Sequence, residues 1–122
     1  DMSETRDRIL RRRFAAIQGA RDAESFLVIV CSKVGQNRSG LADEMVSLLR
    51  RHGRTAHKVI IEEINPTALM SYQVDAFVNT ACPRIAMDDA ARYPKPMLTP
   101  SELEIALGER EWGQYVFDQI RP

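Results

Sequence analysis

Cysteine, histidine and net charge are all scarce in this sequence. Its 122 residues contain two cysteines and two histidines, and 17 basic residues balance 17 acidic ones. Two cysteines are too few for the disulfide framework of a small secreted domain. Zero net charge gives no overall field that would attract nucleic acid or anionic lipid. We therefore expect a protein of the reducing cytoplasm that has neither a nucleic acid nor a membrane as its partner.

Long apolar runs and familiar catalytic signatures are also missing. No apolar run approaches the length of a membrane span or of a signal-peptide core. The glycines form neither a Walker A sequence nor the dinucleotide-binding fingerprint. No nucleophile is accompanied by a recognisable base and orienting acid, which argues against a self-contained hydrolase.

The length of the chain predicts one domain, large enough to bury a core without help from disulfides. The sequence begins with Asp1, and a long polar stretch precedes the first strand. We therefore expect a piece of a longer protein. Residues 1–22 would form an entry helix and residues 23–122 an α/β domain.

The first 21 residues have the pattern of an amphipathic helix. Leu10, Phe14 and Ile17 recur at helical spacing, and no proline interrupts residues 3–21. The other face of this helix is rich in arginine, and it carries Arg6, Arg8, Arg11, Arg12 and Arg13. We interpret that face as solvated, or as a packing surface against further protein, rather than as a substrate site.

Apolar runs of strand length recur along the rest of the chain. They lie at residues 26–31, 58–61 and 74–80, and Met97-Leu98 is expected to add a minimal fourth strand. The first run is apolar throughout, which is typical of a strand covered on both faces of a parallel sheet. Each run is therefore expected to belong to one sheet.

Helical stripes alternate with these strands. One apolar stripe lies between residues 41 and 49, and Thr99 to Glu102 form a capping box that opens another helix. Because the connections are short, the alternation indicates a right-handed parallel arrangement. The prediction is an α/β fold: a Rossmann-like three-layer domain with a short parallel sheet of three to four strands, flanked by helices.

Two segments are predicted to meet at the carboxyl edge of this sheet, where open α/β sheets bind their ligands. The loop from Ser32 to Asn37 follows the first strand and leads into a helix, whose backbone amides favour an anionic group. Gln36 is available to orient that group. Alternatively, this is an ordinary turn between a strand and a helix, in which Gly35 adopts the backbone angles that the turn needs. The sequence does not distinguish these two interpretations.

The second segment contains a cysteine followed by proline. Cys82 is a candidate nucleophile, a candidate metal or cluster ligand, or a buried structural thiol. Because Pro83 favours extended geometry at the preceding residue, we expect the thiol at a strand end and facing the cleft. Arg84 nearby would stabilise a thiolate. Cys31, at the end of an apolar run, is expected to be a small core residue.

Several segments together resemble one known family. They are Arg11-Arg12-Arg13-Phe14-Ala15, Ser32-Lys33-Val34-Gly35-Gln36, Val74-Asp75-Ala76-Phe77-Val78, Ala81-Cys82-Pro83-Arg84-Ile85, Asp88-Asp89 and Lys95-Pro96-Met97-Leu98-Thr99-Pro100-Ser101-Glu102. With them the chain resembles, over nearly its whole length, the C-terminal domain of the radical S-adenosylmethionine enzymes that begin diphthamide biosynthesis. These are the archaeal-type 2-(3-amino-3-carboxypropyl)histidine synthases.

This resemblance implies a [4Fe-4S] cluster held by three cysteines, one from each of three similar domains. Cys82 would be the ligand from the third domain, and S-adenosylmethionine would bind at the open iron. Family members cleave it to a 3-amino-3-carboxypropyl radical, which attacks a histidine of translation elongation factor 2. In this interpretation Gly35 and Gln36 hold the methionine carboxylate, and Arg84 offsets the negative charge of the cluster.

The implied partners are elongation factor 2, the remaining domains of the parent chain, an electron donor, and a second subunit in a homodimer or paralogous heterodimer. One ligand is present where three are needed, so we expect this chain alone to be inactive. Two alternatives stay open: a non-catalytic interaction domain of a paralogous subunit, and a domain of another three-domain iron–sulfur enzyme resembling quinolinate synthase.

Overall fold

The described part of the chain forms an α/β domain with one parallel sheet of four strands. The computed structural model describes residues 2–31, 39–62, 69–80 and 95–111. Within these ranges the helices are α1 (Met2–Arg21), α2 (Ser39–Arg51) and α3 (Pro100–Ala106), and the strands are β1 (Ser25–Cys31), β2 (Thr55–Ile61), β3 (Ala76–Asn79) and β4 (Met97–Leu98).

The sheet has the order β2-β1-β3-β4, and every neighbouring pair is parallel. In register, Val28 lies beside Lys58 on one side and beside Val78 on the other. The predicted parallel α/β sheet and its two-residue fourth strand are therefore confirmed. Crossover connections place all four carboxyl ends at the same edge of the sheet.

Alternate residues of the strands enter two cores on opposite faces of the sheet, as the period of two along a strand requires. The larger core joins α1, α2 and α3 to one face, and its members include Ile17, Phe26, Val28, Leu49, Val78 and Leu103. The smaller core on the other face contains Leu27, Ile29, Leu69, Val74, Phe77 and Met97. Every member of β3 is buried, which fits its position inside the sheet.

Helix α1 packs into the larger core through Ile17 and Ala20, both of which are buried. Gly19 permits a close approach, because a Cβ at this position would lie only 3.3 Å from Pro96 Cγ, just before β4. Phe14, expected on the apolar face, is 40% exposed instead. The buried stripe of α1 therefore runs through Ile17 and Ala20 and leaves Phe14 at its margin.

Local signals set the ends of the other helices. Thr99 caps α3 in the predicted capping box, with Pro100 in its first turn, and Gly108 follows the helix with φ of 82°. Gly53 follows α2 with φ of 74°, after the basic residues Arg50 and Arg51 in the last turn of the helix. Both glycines adopt the left-handed conformation that other residues avoid.

Strand β2 begins at Thr55, three residues earlier than the apolar run at 58–61 predicted. It lies at the edge of the sheet, where alternate side chains meet solvent, so polar residues such as Thr55 and His57 do not interrupt it. Strand β3 is shorter than predicted and runs from Ala76 to Asn79. No helix in the described part of the chain is long and apolar enough to cross a membrane.

Candidate functional site at the carboxyl edge of the sheet

Two neighbouring strands end together at the carboxyl edge of the sheet. Ile29 of β1 pairs with Asn79 of β3, so β1 continues two residues beyond this level to Cys31 while β3 ends. Segment 32–38 therefore departs from β1, and segment 81–94 departs from β3, at the same edge. The strands that precede the two segments therefore end at a common edge, as predicted, while the segments themselves lie outside the described residues.

The predicted site residues lie in these two segments. Gly35 and Gln36 belong to segment 32–38, while Cys82 and Arg84 belong to segment 81–94, and all four lie outside the described residues. Their roles as cofactor and cluster contacts remain predictions. The structure does describe the ends of β1 and β3, the strands that precede these two segments.

Thr80 joins the two strands at this support. Its backbone N–H donates to the Ile29 carbonyl oxygen at 3.1 Å, and its hydroxyl Oγ1 donates to the same oxygen at 2.7 Å. Thr80 is 2% exposed, and Asn79 before it is fully buried. The last residue described before Cys82 is thus fixed to β1 by two hydrogen bonds.

A buried ion pair lies where β4 ends, and it corrects one prediction. We expected Arg13 on a face that meets solvent or further protein, and this was wrong, because its side chain is fully buried. Its Nε donates to Glu102 Oε2 at 2.8 Å and its Nη2 to Glu102 Oε1 at 2.9 Å. Nη2 also donates to the Met97 carbonyl oxygen at 2.6 Å. The guanidinium therefore binds α1 to both β4 and α3.

The position of Arg13 explains its burial. It lies four residues before Ile17, on the side of α1 that enters the core, so it needs a partner of opposite charge. Glu102 is held in place by the capping box: its Oε1 accepts from the Thr99 N–H at 3.0 Å, and its own N–H donates to Thr99 Oγ1 at 3.2 Å. Of the other arginines predicted on this face, Arg8, Arg11 and Arg12 are exposed as expected.

At the amino ends of the strands, a carboxylate joins β1 and β3. Asp75 Oδ2, just before β3, accepts hydrogen bonds from the Glu24 N–H at 3.0 Å and from the Ser25 N–H at 3.2 Å. These bonds, the one from Glu24 first, lower the pKa of Asp75 below its ordinary value of 3.8. The Asp75 N–H in turn donates to the Ser25 carbonyl oxygen at 3.0 Å, so this residue joins the amino ends of β1 and β3.

A groove with a volume of about 310 Å³ lies between α2 and α3, away from the strand ends. Its lining is mixed in charge and includes Glu44, Met45, Leu48, Arg51, Glu104 and Glu109. Nearby, His52 Nε2 lies 2.9 Å from Glu109 Oε1 at the surface. Across residues 2–31, 39–62, 69–80 and 95–111, no three histidine, cysteine or acidic side chains are grouped so as to hold a metal ion.

Comparison with known proteins identifies the family. The family model described as "Putative diphthamide synthesis protein" matches residues 1–116. The chain belongs to this family. The resemblance seen in its sequence segments is therefore confirmed, and the match favours diphthamide synthesis over the quinolinate-synthase alternative.

Individual relatives agree with this assignment. The 2-(3-amino-3-carboxypropyl)histidine synthase of Pyrococcus horikoshii is 44% identical over 114 residues, which cover 93% of this chain and 33% of that protein. Subunit 1 of the Gallus gallus synthase is 37% identical over 109 residues, covering 88% of this chain and 27% of that protein. The chain thus spans about a third or less of the length of these relatives.

A solved structure matches the fold as well as the sequence. The crystal structure of Dph2 from Pyrococcus horikoshii with a 4Fe-4S cluster superposes with a TM-score of 0.81 at 44% identity. The match covers 86% of this chain and 31% of that one. The α/β fold is therefore shared with a protein that carries an iron–sulfur cluster.

Sequence reasoning missed three of the contacts described above. The burial of Arg13 had a signal, since its spacing to Ile17 matches a buried stripe. Asp75 and Thr80 gave no such signal, because each binds backbone groups about 50 residues away in the chain. Such contacts follow from strand register, which the sequence alone does not specify.

Proposed function

We propose that the protein containing this chain transfers a 3-amino-3-carboxypropyl group from S-adenosylmethionine to a histidine of translation elongation factor 2. This is the first step of diphthamide synthesis, and it makes the protein a transferase. The observation that carries the proposal is the 44% identity, over 93% of this chain, to a 2-(3-amino-3-carboxypropyl)histidine synthase. The reaction breaks one carbon–sulfur bond, forms one bond to the imidazole ring, and releases methylthioadenosine and a proton.

We propose that this chain contributes one thiolate to a [4Fe-4S] cluster. Such clusters are held by cysteine thiolates, and Cys82 follows the end of β3 by three residues, at the edge where ligands of α/β sheets bind. A single thiolate can ligate only one of the four irons of the cluster. The related Dph2 structure with its 4Fe-4S cluster supports this donor chemistry. When bound, the cluster would supply one electron to cleave the sulfonium bond and would recover one electron as the substituted imidazole loses its proton, so that the overall reaction is redox-neutral.

The other predicted site residues take supporting roles in this proposal. Gly35 and Gln36 follow β1 and hold the carboxylate of S-adenosylmethionine near the start of α2. Arg84 follows the cysteine and offsets the negative charge of the thiolates. Segments 32–38 and 81–94 leave neighbouring strands at the same edge, which supports a shared site for the cofactor and the thiolate.

The proposed setting is a longer cytoplasmic protein. Residues 23–122 form the third of three similar domains, and the two preceding domains supply the other two cluster cysteines. The protein works as a homodimer or as a heterodimer of paralogues and receives electrons from a separate donor. The short span of this chain relative to its relatives supports the need for further domains.

The experiment that tests this proposal is anaerobic reconstitution of the full-length protein with iron and sulfide. We expect the Cys82→Ala variant to lose most of its cluster absorbance and its production of methylthioadenosine. Cys31→Ala is the matched control, since Cys31 ends β1 at the same edge and is expected in the core. Gln36→Ala should keep the cluster and bind S-adenosylmethionine more weakly.

A cluster that forms equally well in Cys82→Ala would contradict the ligand assignment. It would favour the remaining alternative, a non-catalytic interaction domain of a paralogous subunit in which Cys82 is structural. Unchanged affinity for S-adenosylmethionine in Gln36→Ala would remove Gln36 from the cofactor site.

A further inference from the structure

Strand β2 forms one edge of the described sheet, and it has the features of a strand that can pair with another molecule. It is seven residues long, contains neither proline nor glycine, and ends in the apolar run Val59-Ile60-Ile61. Ile60 is 60% exposed. An edge strand of this kind presents an outer row of N–H and C=O groups to which a further strand can bind. The contacts made by this outer row therefore decide whether β2 can take a partner.

The hydrogen bonds of β2 show which of its backbone groups belong to the outer row. The Thr55 N–H donates to the Glu24 carbonyl oxygen at 2.8 Å, so the backbone groups of Thr55 point towards β1. Successive residues of a strand point their N–H and C=O groups to opposite sides, so those of Ala56 point away from β1. The carbonyl oxygen of Ala56 is thus part of the outer row.

A side chain of α2 occupies this oxygen. Arg50 lies in the last turn of the helix, and its Nη2 donates to the Ala56 carbonyl oxygen at 3.1 Å. Ala56 is 2% exposed, so water does not readily replace the guanidinium as the donor. A strand added to β2 would have to displace Arg50 before its own N–H group could reach this oxygen.

The other edge strand, β4, has the same arrangement. The Phe77 N–H donates to the Pro96 carbonyl oxygen at 2.9 Å, so the carbonyl oxygen of the next residue, Met97, points away from β3. Arg13 Nη2 donates to this oxygen at 2.6 Å. On each edge strand, an outward carbonyl oxygen therefore accepts from an arginine of a helix that packs on the larger core.

We propose that Arg50 prevents β2 from pairing with the β2 strand of a second copy of the protein, by occupying the Ala56 carbonyl oxygen. Two copies related by a two-fold axis can pair the same strand antiparallel, and this contact would cover the exposed Ile60 of both. Lys58 acts in the same direction, since charged residues on an edge strand oppose pairing. The inference does not depend on the proposed function, because neither a cluster nor S-adenosylmethionine takes part.

The test measures self-association of the full-length protein by sedimentation velocity over a range of concentrations. Arg50→Met keeps most of the apolar stem and removes the guanidinium. We expect this variant to associate beyond the state of the parent at concentrations about 10-fold lower or more, as the loss of one hydrogen bond to a charged group predicts. In the associated form, the amides of β2 should gain protection from hydrogen exchange.

Two further variants separate this effect from loss of charge and from loss of stability. Arg51→Met removes the neighbouring exposed arginine, for which no bond to a strand is described, and it should associate like the parent. The double variant Arg50→Met with Ile60→Lys adds a charge to β2 without restoring the hydrogen bond. Its association should return to the level of the parent.

An Arg50→Met protein that melts at a lower temperature but associates no more than the parent would overturn the proposal. Arg50 would then only stabilise the fold, by satisfying a buried carbonyl group. The proposal would equally be wrong if Ile60→Lys failed to suppress the association, or if Arg51→Met reproduced it.

Discussion

Single residues join β1 and β3 by hydrogen bonds at the amino and the carboxyl ends of these strands. At the carboxyl edge Thr80 donates from β3 to β1, while at the amino edge the carboxylate of Asp75 accepts from two backbone N–H groups. A carboxylate accepts these bonds most strongly when it is ionised. The amino edge is therefore sensitive to pH, whereas the carboxyl edge relies on a hydroxyl that does not titrate.

The contribution of Asp75 to stability should disappear in acid. Its folded-state pKa is lowered, so its stabilising effect is present above the unfolded value of 3.8 and is lost as pH falls through the folded pKa. We expect Asp75→Asn to melt at a lower temperature than the parent at pH 7, with a gap that narrows below pH 3.8. Thermal unfolding of both proteins between pH 2 and 7 measures this gap.

The matched control for this prediction is Asp43→Asn. Asp43 forms a surface ion pair with Lys58 at 2.8 Å, with no bond to a backbone N–H described for it. Surface pairs contribute little to stability, so its gap to the parent should be small at every pH. A constant gap for Asp75→Asn between pH 2 and 7 would rule out the role of its ionised form.

Helix α1 is joined to the rest of the domain by a buried charged contact as well as by its apolar packing. Arg13 and Glu102 are 89 residues apart in the chain and are both fully buried, and the guanidinium also reaches β4 through the Met97 carbonyl oxygen. Burying two charges is costly, and their attraction repays this only with good geometry and further hydrogen bonds. We therefore expect the pair to contribute more to the position of α1 than to net stability.

Removing one partner of this pair should be far worse than removing both. Arg13→Met leaves the Glu102 carboxylate buried without its partner, and we expect it to lose about 3–5 kcal/mol of unfolding free energy. The double variant Arg13→Met with Glu102→Met should lose less than the sum of the two single variants. Urea unfolding of the four proteins completes the double-mutant cycle.

The control for this cycle lies one residue earlier in the same helix. Arg12 is exposed, so Arg12→Met should change the unfolding free energy by about 0.5 kcal/mol or less. If Arg13→Met behaved like Arg12→Met, or if the two single losses simply added, the buried pair would not be the contact that fixes α1.

The elements that the sequence predicted are those with strong local signals. The capping box at Thr99 and the glycine after Arg51 mark helix ends through bonds within a few residues. Arg13 was misplaced because its charge was given more weight than its spacing to Ile17. The start of β2 was missed because an edge strand can contain polar residues. Its partners in β1 also lie 30 residues earlier in the chain, so no local signal marks the pairing.

Near the candidate site, the strand order could be predicted from the sequence, whereas the individual hydrogen bonds could not. The common edge for segments 32–38 and 81–94 follows from parallel strand order, which the alternation of strands and helices predicts. The hydrogen bonds that support these segments do not follow from it. Thr80 and Asp75 bind backbone groups in β1 or just before it, and only the register between strands selects those partners.

At the scale of the whole molecule, the described residues form an apolar core on each face of the sheet, whereas the proposed cluster would need more cysteines than this chain has. The larger and the smaller apolar core cover the two faces of the sheet. By contrast, the sequence contains only two cysteines, and one of them ends β1. Folding of the domain and formation of the cluster should therefore be separable.

We expect the 122-residue chain, treated anaerobically with iron and sulfide, to fold without holding a stable [4Fe-4S] cluster. A cluster normally needs thiolates at three or four of its irons, and under the proposed function Cys82 would supply one of them. Circular dichroism should show helix and strand, while the iron and sulfide that elute with the chain after gel filtration should fall well below four of each per molecule. The full-length protein under the same conditions is the positive control. Stoichiometric iron and sulfide on the monomeric 122-residue chain would mean that its own side chains complete a site, and the three-domain ligand set would then be wrong.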